Sequence, residues 1–231
     1  MSANFHELIK TALDIHVKMS LDTQRENMWN YVQSKYKNCD VDERQQHELR
    51  QIFLLNGINK RHFAECLYKV FTKWEHKRNT IRLVGIPNSG KTLIANCICE
   101  PFVTCYMNNH GSENEFFMSN MLNKSIILCE ELYITIATAE DFKSVLGGQP
   151  LDIAKKFNEK QLLQRTPVIV TSNFQKFGRG HLSTMDENAL RLRCFNFDFI
   201  ATTLPAVTIT AEQFYLFIFD AFSDFSDIIN S

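Results

Sequence analysis

The sequence predicts an α/β protein whose core is a mostly parallel sheet flanked by helices and preceded by a small bundle of helices. Three observations lead to this fold class. Apolar residues keep helical spacing through residues 1–78, and from Ile81 short apolar runs alternate with helical segments. Between one such run and the next helix, Gly85–Thr92 fits the pattern G-x-x-x-x-G-K-[ST]. We expect a helical bundle at 1–78, an α/β core at 79–200 and a helical tail at 201–231.

The composition limits which binding partners and which cellular compartment we expect for this protein. The chain has 231 residues, of which 45% are hydrophobic and 12% aromatic, enough for a buried core. Its 25 Lys and Arg residues nearly balance 26 Asp and Glu residues, so a contact with nucleic acid has to come from a local patch. No apolar run is long enough to span a bilayer, and the start does not resemble a signal peptide. We therefore expect an intracellular protein without membrane contact.

Cysteine usage favours a reducing environment. The cysteines form an odd set without a C-x-x-C pair, and several fall within apolar runs of predicted strands or helices. We interpret them as reduced core residues, with a zinc site as the less favoured alternative. The seven are Cys39, Cys66, Cys97, Cys99, Cys105, Cys129 and Cys194.

Four amphipathic helices are expected in residues 1–78. The first carries Phe5 and the apolar residues that follow it, and Thr23–Glu26 has the sequence of a capping box that would open the second. The third begins near Asp40 and ends at Gly57, and the fourth begins near Asn59. Short connections between helices predict a bundle. Its fourth helix aligns an aromatic stripe that we expect in the core, formed by Phe63, Phe71 and Trp74.

The glycine-rich segment Gly85–Thr92 is the strongest functional signal. The apolar run Ile81–Val84 precedes it and the helical run Leu93–Cys99 follows it, which is the context of a phosphate-binding loop. Loop N–H groups and the helix N-terminus would surround phosphates, Lys91 would reach the outer phosphates and Thr92 would ligate Mg²⁺. This context disfavours the alternative of a plain surface turn. We therefore expect a bound nucleoside triphosphate, with contacts from Gly85, Pro87, Asn88, Ser89, Gly90, Lys91 and Thr92.

Two carboxylates end a later buried run. A second strand is expected at Phe102–Met107 and a helix at Glu113–Leu122, and the apolar run Ser125–Cys129 then leads into Glu130 and Glu131. Such a pair beside a phosphate-binding loop suits the hydrolysis of a nucleoside triphosphate. Glu130 would hold Mg²⁺, directly or through water, and Glu131 would orient and deprotonate the attacking water.

The remaining runs of the core predict a hairpin and two more strands. After a helix at 138–146, Gly147–Phe157 is interpreted as a β-hairpin with a Lys-Lys-Phe apex. Thr166–Asn173 is a buried strand ending in a polar cluster that could touch a γ-phosphate, and Arg191–Phe199 is a strand entered through two arginines. Taken alone, the exposed lysine pair of the apex indicates no more than a solvated turn.

Four blocks in this order resemble the superfamily-3 helicases of small DNA viruses, and most closely the helicase part of parvoviral and densoviral replication proteins. The resemblance covers about residues 60–200. It implies an AAA+ P-loop core after a small helical oligomerisation domain, with ATP and Mg²⁺ as cofactors. It also implies a ring, in this family a hexamer, that translocates on single-stranded DNA during viral DNA replication in the host nucleus. The blocks are Gly85–Thr92, Ile126–Glu131, Gly147–Phe157 and Pro167–Asn173.

The resemblance also implies roles for single residues beyond the phosphate-binding loop. Asn173 would be the polar residue that senses the γ-phosphate. Arg193 would reach the γ-phosphate of a neighbouring subunit, because the segment it opens resembles the family's Arg-x-Phe-x-Phe strand. Arg191 and Arg179 are the alternatives for that role.

The implied partner is single-stranded or forked DNA. Lys156 and Phe157 fall where related proteins place residues near DNA, with Lys155 as the alternate. A P-loop ATPase that packages or remodels DNA without unwinding it would not need the hairpin, and an inactive interaction module would not need intact nucleotide residues. Residues 201–231 lie outside the resemblance. Their predicted helix carries several phenylalanines that we expect to pack on the core, with packing on a neighbour as the alternative.

Overall fold

The structure, a computed structural model, describes residues 2–107, 117–155 and 158–223. Within these ranges the α-helices are α1 (Ser2–Glu26), α2 (Met28–Tyr36), α3 (Glu43–Leu55), α4 (Lys60–Phe71), α5 (Lys91–Cys99), α6 (Ala139–Gly147), α7 (Thr184–Arg191) and α8 (Ala211–Ser223). The strands are β1 (Thr80–Gly85), β2 (Thr104–Met107), β3 (Ile126–Glu130), β4 (Leu151–Lys155), β5 (Asn158–Leu163), β6 (Val168–Ser172) and β7 (Cys194–Phe199). Two short 3-10 helices lie at Phe117–Met121 and Ile136–Thr138.

Five strands form one parallel sheet in the order β2-β3-β6-β1-β7, and β4 pairs with β5 in a separate antiparallel hairpin. The predicted α/β fold with a mostly parallel sheet is therefore confirmed. Because the strands are parallel, the residues that follow β1, β3 and β6 all emerge at the same edge of the sheet. That edge receives the predicted phosphate-binding loop, carboxylates and sensor residue.

The sheet separates two hydrophobic clusters, because successive side chains of a strand point to opposite faces. On one face Ile81, Leu83 and Leu128 pack with α5, with α2 to α4 and with α8. On the other face Ile127 and Val170 pack with α6, α7 and the hairpin. The N-terminal helices thus share one continuous core with β1, while the division of the chain into domains stays a prediction.

The boundary between the first two helices differs from the prediction. Helix α1 continues through Thr23, whose hydroxyl donates to the Met19 carbonyl at 2.9 Å, so the capping box predicted at Thr23–Glu26 is wrong. Asn27 has extended backbone and its side chain accepts from the N–H of Asn30 at 2.9 Å. The chain therefore restarts the helix at Asn27, a residue type that caps helices as well as Thr does.

The predicted aromatic stripe of α4 is correct for Phe63 and Phe71, which are buried, and wrong for Trp74, which is 70% exposed. Helix α4 ends at Phe71, and Lys73 adopts a left-handed backbone with φ of 57°. Trp74 therefore leaves the helical spacing that would have placed it on the buried face. Helix α3 begins after Asp42 and stops before Gly57, as predicted.

The secondary structure in the second half of the chain also differs in part from the prediction. Helix α7 was not expected, and it takes Arg191 as its last residue, so β7 begins only at Cys194. The helix predicted at Glu113–Leu122 lies partly outside the described residues, and its described part is the 3-10 helix Phe117–Met121. Helix α8 packs its phenylalanines on the core as predicted, with Phe225 outside the described residues; they are Phe214, Phe217, Phe219 and Phe222.

Six of the seven cysteines are buried, and Cys39 is half-buried. Burial raises the pKa of the Cys97 thiol to about 12. Nothing in the described helices is both long and apolar enough for a membrane span.

Candidate nucleotide-binding site

The loop after β1 has the geometry that its glycines predict. A Cβ on Gly85 would lie 1.9 Å from the carbonyl oxygen of Phe199 at the end of β7, so only glycine fits there. The N–H of Ile86 donates to that same carbonyl at 3.0 Å. Gly90 and Asn88 both adopt positive φ, of 90° and 56°. The loop therefore turns sharply from the strand into α5.

The N-terminus of α5 is open toward the loop. Its N-cap is Gly90, which has no side chain to cap the helix. Helix N-terminal N–H groups without an intrahelical acceptor favour an anion, and the helix dipole adds to this preference. The sequence thus builds an anion-binding end on α5.

Lys91 is held inside the loop. It is 6% exposed, and its ammonium donates to the carbonyls of Gly85 and Ile86 and, at 3.1 Å, to the Ser89 hydroxyl. Burial lowers the pKa of Lys91, and the nearby Glu131 carboxylate opposes this shift. The ammonium therefore sits on loop carbonyls that a phosphate group would compete with.

The two carboxylates of β3 have different surroundings. Glu130 is the exposed last residue of the strand, and its alternation with Leu128 puts it on the face of the sheet that packs against α5. Glu131 leaves the strand with a φ of 51° and its N–H donates to the Thr171 carbonyl at 2.8 Å. This backbone turns Glu131 toward β6, where its carboxylate accepts from the N–H of Asn173 at 3.1 and 3.2 Å.

The predicted phosphate-binding loop, the carboxylate of Glu131 and the predicted sensor residue Asn173 line one cavity of about 390 Å³. The predicted residues found in its wall are Pro87, Asn88, Ser89, Gly90, Lys91, Thr92, Glu131 and Asn173. These residues come from three separate stretches of sequence, and the parallel sheet brings them together. A cavity lined by a buried cation and a carboxylate can hold a phosphate chain and a water molecule.

Two residues with oxygen donors fit a hard cation here. Thr92 lines the cavity and is exposed at the start of α5, whereas Glu130 does not line the cavity and stands at the end of β3 on the same face of the sheet. Within the described ranges, no three His, Cys, Asp or Glu side chains group closely enough to hold a metal by themselves. Proteins generally hold Mg²⁺ with one or two carboxylates plus phosphate oxygens and water, so these donors fit Mg²⁺ that arrives with a nucleotide.

Sequence reasoning missed part of the cavity wall. Thr203, Leu204 and Pro205, which follow β7, also line it. The N–H of Thr203 donates to the Asn88 carbonyl at 2.8 Å. No local motif marks this segment, and only its position four to six residues after the end of the edge strand could have suggested it.

Asn56 at the end of α3 joins the N-terminal helices to this site. Its side chain donates to the carbonyls of Ile52 at 2.8 Å and Ser89 at 3.4 Å, and it accepts from the N–H of Ala201 at 2.9 Å. It is only 4% exposed. One buried amide thus connects α3, the phosphate-binding loop and the segment after β7, and the sequence analysis did not identify it.

Arg193 lies at the other edge of the sheet. Thr80 at the start of β1 pairs with Cys194, so Arg193 precedes the strand, whereas the loop follows its far end. Six residues of parallel strand span about 20 Å. Arg193 is half-buried, and its guanidinium donates to the Ala189 carbonyl. It therefore does not meet the phosphate-binding loop of its own chain.

The two alternative arginines lie at different edges. Arg191 is exposed at the end of α7, beside Arg193. Arg179 follows β6 and stacks its guanidinium 4.2 Å from the ring centre of Phe174 and 5.2 Å from that of Tyr133. Arg179 therefore lies at the same edge of the sheet as the phosphate-binding loop, where the parallel strands end.

A second cavity, of about 620 Å³, lies along β7 and contains none of the loop residues. Its wall includes Lys69, Arg78 and Arg191. Lys69 and Arg78 both pair with Glu75, at 3.5 and 3.8 Å, which offsets part of their charge. It is larger than the loop cavity, yet the described residues of its wall include neither an uncapped helix N-terminus nor a carboxylate, so the loop cavity is the better candidate for a nucleotide site.

The predicted hairpin is present, but it spans Leu151–Leu163 and not Gly147–Phe157, because Gly147 ends α6 and Gly148 caps that helix. Strands β4 and β5 pair in the register Leu151↔Leu163 to Lys155↔Asn158. Lys156 and Phe157, the apex residues assigned to DNA, lie outside the described residues. Lys155 is the last residue of β4. Ile153 and Leu163 anchor the hairpin in the cluster with α6.

Comparison with known proteins adds to this geometry. Protein Rep52 of adeno-associated virus 2 (isolate Srivastava/1982) is 35% identical over 135 residues, covering 58% of this chain and 33% of Rep52. Initiator protein NS1 of Bombyx mori densovirus is 29% identical over 123 residues, covering 51% of this chain and 13% of NS1. Initiator protein NS1 of human parvovirus B19 (isolate AU) is 29% identical over 140 residues, covering 59% of this chain and 21% of that NS1. The chain therefore spans a third or less of these relatives.

Solved structures share the fold at low identity. The X-ray structure of JCV helicase superimposes with a TM-score of 0.53 at 13% identity, covering 83% of this chain and 56% of that one. The apo C-terminal region of NrS-1 gives a TM-score of 0.53 at 14% identity, covering 79% of this chain and 44% of that one. The family profile of parvovirus non-structural protein NS1 matches residues 2–219, which is nearly the whole chain. This chain is therefore a member of the parvovirus non-structural protein NS1 family.

Proposed function

We propose that this protein is an ATP-dependent DNA helicase that acts in viral DNA replication. The observation that carries the proposal is that Glu131, Asn173 and the buried Lys91 line the same cavity. Membership of the NS1 family and the shared fold with JCV helicase support the choice of helicase over other P-loop ATPases.

In this proposal each residue of the cavity has one task. Loop N–H groups and the N-terminus of α5 bind the phosphates, and Lys91 exchanges its loop carbonyls for the outer phosphates. Glu131 orients and deprotonates the attacking water, while Asn173 contacts the γ-phosphate beside it. Thr92 and Glu130 would hold Mg²⁺, whose chemistry is to neutralise charge that develops on the phosphate oxygens.

Completion of the site by a neighbouring subunit is also part of the proposal. Arg193 cannot reach its own loop across about 20 Å of sheet, so it would serve the loop of an adjacent copy. An arginine supplied in trans is worth about 10³ to 10⁵ in rate in other nucleotide hydrolases. We propose a homo-oligomeric ring, with a hexamer as the expected size, and we expect it to act in the host nucleus.

Single-stranded or forked DNA is the proposed substrate, and the hairpin apex the proposed contact. The net charge of −1 leaves no general attraction to DNA, so a few cations repeated around a ring would have to supply the affinity. Lys156 is the main candidate, with Lys155 its alternate, and Phe157 could stack on a base.

Two substitutions test the nucleotide chemistry. Lys91→Ala should abolish nucleotide binding, because it removes the buried cation that lines the cavity. Glu131→Gln should keep binding and stop hydrolysis, because the amide cannot accept the proton of the attacking water. Nucleotide affinity and turnover are measured separately for each variant. Hydrolysis by Glu131→Gln at the wild-type rate would show that another group is the base.

Strand displacement on a forked duplex tests the helicase assignment. Lys156→Ala should keep ATP turnover without DNA, lose its stimulation by single-stranded DNA and stop unwinding. Each lost phosphate contact should flatten the slope of log affinity against log salt by about 0.7. Lys160→Ala, an exposed lysine of β5 away from the apex, is the matched control. ATP turnover without strand displacement by the wild-type protein would favour the alternative, an ATPase that remodels or packages DNA.

A further inference from the structure

A fully buried arginine lies in the middle of the sheet. Arg82 of β1 is 1% exposed, and burial lowers the pKa of its guanidinium. Among the described residues no carboxylate lies within salt-bridge distance of it, and its Nε has no hydrogen-bond partner. A buried charge costs stability unless it is well paired, so the contacts that Arg82 does make are informative.

Those contacts hold the segment directly after Asn173. We call residues 173–178 the sensor loop. The Nη2 of Arg82 donates to the carbonyls of Phe174 at 3.0 Å and Gln175 at 2.9 Å, and the guanidinium lies 4.4 Å from the ring centre of Phe177. Because Arg82 holds the carbonyls of the two residues that follow Asn173, it restricts the backbone on which the Asn173 side chain is carried.

A buried anion holds the other end of the sensor loop. Glu187 of α7 is 6% exposed, and its carboxylate accepts from the N–H groups of Phe177 at 3.0 Å and Gly178 at 2.7 Å. The sensor loop is therefore fixed by a cation at its carbonyls and by an anion at its N–H groups. The anion belongs to the helix that leads to Arg193, whose own guanidinium donates to the Ala189 carbonyl of α7.

Arg82 also reaches the backbone on both sides of Arg193. Its Nη1 donates to the Asn196 side-chain carbonyl at 3.4 Å, and the Asn196 amide donates to the carbonyls of Arg191 at 3.2 Å and Cys194 at 3.1 Å. A second bond links the same two regions, from the Gln175 side chain to Asp198 of β7 at 3.2 Å. Hydrogen bonds thus run from the sensor loop through Arg82 and Asn196 to the turn that carries Arg193.

We propose that Arg82 is a positioning residue that couples Asn173 to Arg193. The inference rests on the proposed function, in which Asn173 contacts the chain's own nucleotide and Arg193 serves the neighbour's. Through Arg82 and Asn196, nucleotide binding in one subunit shifts the position of the Arg193 that this subunit supplies to its neighbour. A coupling of this kind needs a physical connection between two sites at opposite edges of a sheet, and the hydrogen bonds named above supply one.

Amide hydrogen exchange with ATPγS tests the coupling without relying on turnover. In the wild type the nucleotide should slow exchange in the phosphate-binding loop and also at residues 189–195. In Arg82→Met and Asn196→Ala the loop should still be protected, but protection at 189–195 should be lost. Absence of loop protection in the wild type would refute nucleotide binding itself. Loop protection without any change at 189–195, or with unchanged protection there in both variants, would overturn the coupling.

Mixed oligomers then test whether Arg82 positions Arg193, separately from any effect on Asn173 of the same subunit. The reference is Glu131→Gln mixed with Arg193→Ala, in which the Glu131→Gln subunits bind nucleotide without hydrolysing it and supply the arginine to Arg193→Ala neighbours. Arg82→Met and Asn196→Ala are each added to these Glu131→Gln donor subunits. With Arg82→Met in the donor, activity should fall at least about tenfold below this reference, because the only arginine on offer comes from a subunit with a broken connection. Asn196→Ala in the donor should lower the activity likewise. Mixtures as active as the reference would show that Arg82 does not position Arg193.

A matched control separates coupling from a general loss of structure. Arg25→Met also removes a guanidinium that donates to a backbone carbonyl, that of Lys124 at 3.2 and 2.9 Å, but among the described residues it is linked neither to the sensor loop nor to Arg193. It should behave as the wild type in exchange and in mixtures. If Arg82→Met does not fold, Asn196→Ala decides the question, because Asn196 is exposed and its loss leaves Arg82 and the sheet in place.

Discussion

Replacement of Gly85 by alanine is the sharpest test of the geometry at the phosphate-binding loop. The added methyl group would lie 1.9 Å from the carbonyl oxygen of Phe199 and 2.7 Å from its carbonyl carbon. An ordinary contact needs more than 3 Å, so the backbones would have to separate by more than 1 Å. That movement would break the bond from the Ile86 N–H to the same carbonyl, at 3.0 Å. The φ of 149° at Gly85 adds strain for any other residue.

The expected loss of stability in Gly85→Ala has two causes, the positive φ and the close contact with Phe199. A positive φ costs an alanine about 1 to 2 kcal/mol, and overpacking against a fixed backbone adds about 1 to 3 kcal/mol. A loss of about 3 kcal/mol should lower the melting temperature by roughly 6 to 12 °C for a chain of this size. Gly57→Ala is the control, because Gly57 has a φ of 64° but nothing within 4 Å of an added methyl group.

Thermal denaturation of the two variants, together with titration of a nucleotide, separates strain from clash. Gly57→Ala should show only the smaller loss and keep nucleotide affinity. Gly85→Ala should show the larger loss and bind nucleotide weakly, because the loop no longer starts where Phe199 holds it. Equal melting temperatures for the two variants would refute the reasoning from close approach.

Three further predictions concern stability and assembly. Asn56→Ala should lower the melting temperature by roughly 4 to 8 °C, since the half-buried Ala201 loses the acceptor of its N–H; an unchanged value would show that water replaces the amide. Leu8→Glu with Leu13→Glu, on the exposed face of α1, should shift sedimentation toward the monomer without changing the melting temperature if α1 supports assembly. Burial raises thiol pKa values to about 12, so the folded state holds these protons more tightly than the unfolded state. The unfolding free energy should therefore be constant below the ordinary thiol pKa of 9.0 and fall as pH rises above it, and a flat urea-denaturation series from pH 8 to 11 would contradict burial of Cys66, Cys97 and Cys194.

The parts of the fold that the sequence predicts well are those governed by local patterns. Strands β1, β3 and β6 are apolar runs because a parallel sheet buries both of its faces. The loop between β1 and α5 has fixed glycine positions because each answers a backbone requirement. Strand order could be inferred only through family resemblance, since the residues that pair in a parallel sheet are far apart in sequence.

Residues whose role depends on distant partners were not predictable. Asn56 looks like an ordinary helix end, and its importance comes from Ser89 and Ala201, which lie far along the chain. Arg82 looks like an interruption in an apolar strand, and its partners are backbone carbonyls that have no sequence signature. The wrong assignment of Trp74 has a simpler cause, because a helix boundary shifted by one turn removes a residue from the buried face.

Stability and coupling should respond differently at Arg82. Replacing a buried charge by an apolar residue of similar volume is often neutral or stabilising in proteins, whereas removing one member of a network leaves the other groups unpaired. Arg82 has no carboxylate partner to leave behind, and the carbonyls it binds are those of the exposed residues Phe174 and Gln175. Water can reach these carbonyls more easily than it could reach a buried carboxylate. Arg82→Met should therefore melt at or near the wild-type temperature and still lose the connection to Arg193. A residue kept only for stability would show the opposite, with a lower melting temperature and unchanged coupling, and for this reason the two measurements together distinguish the roles.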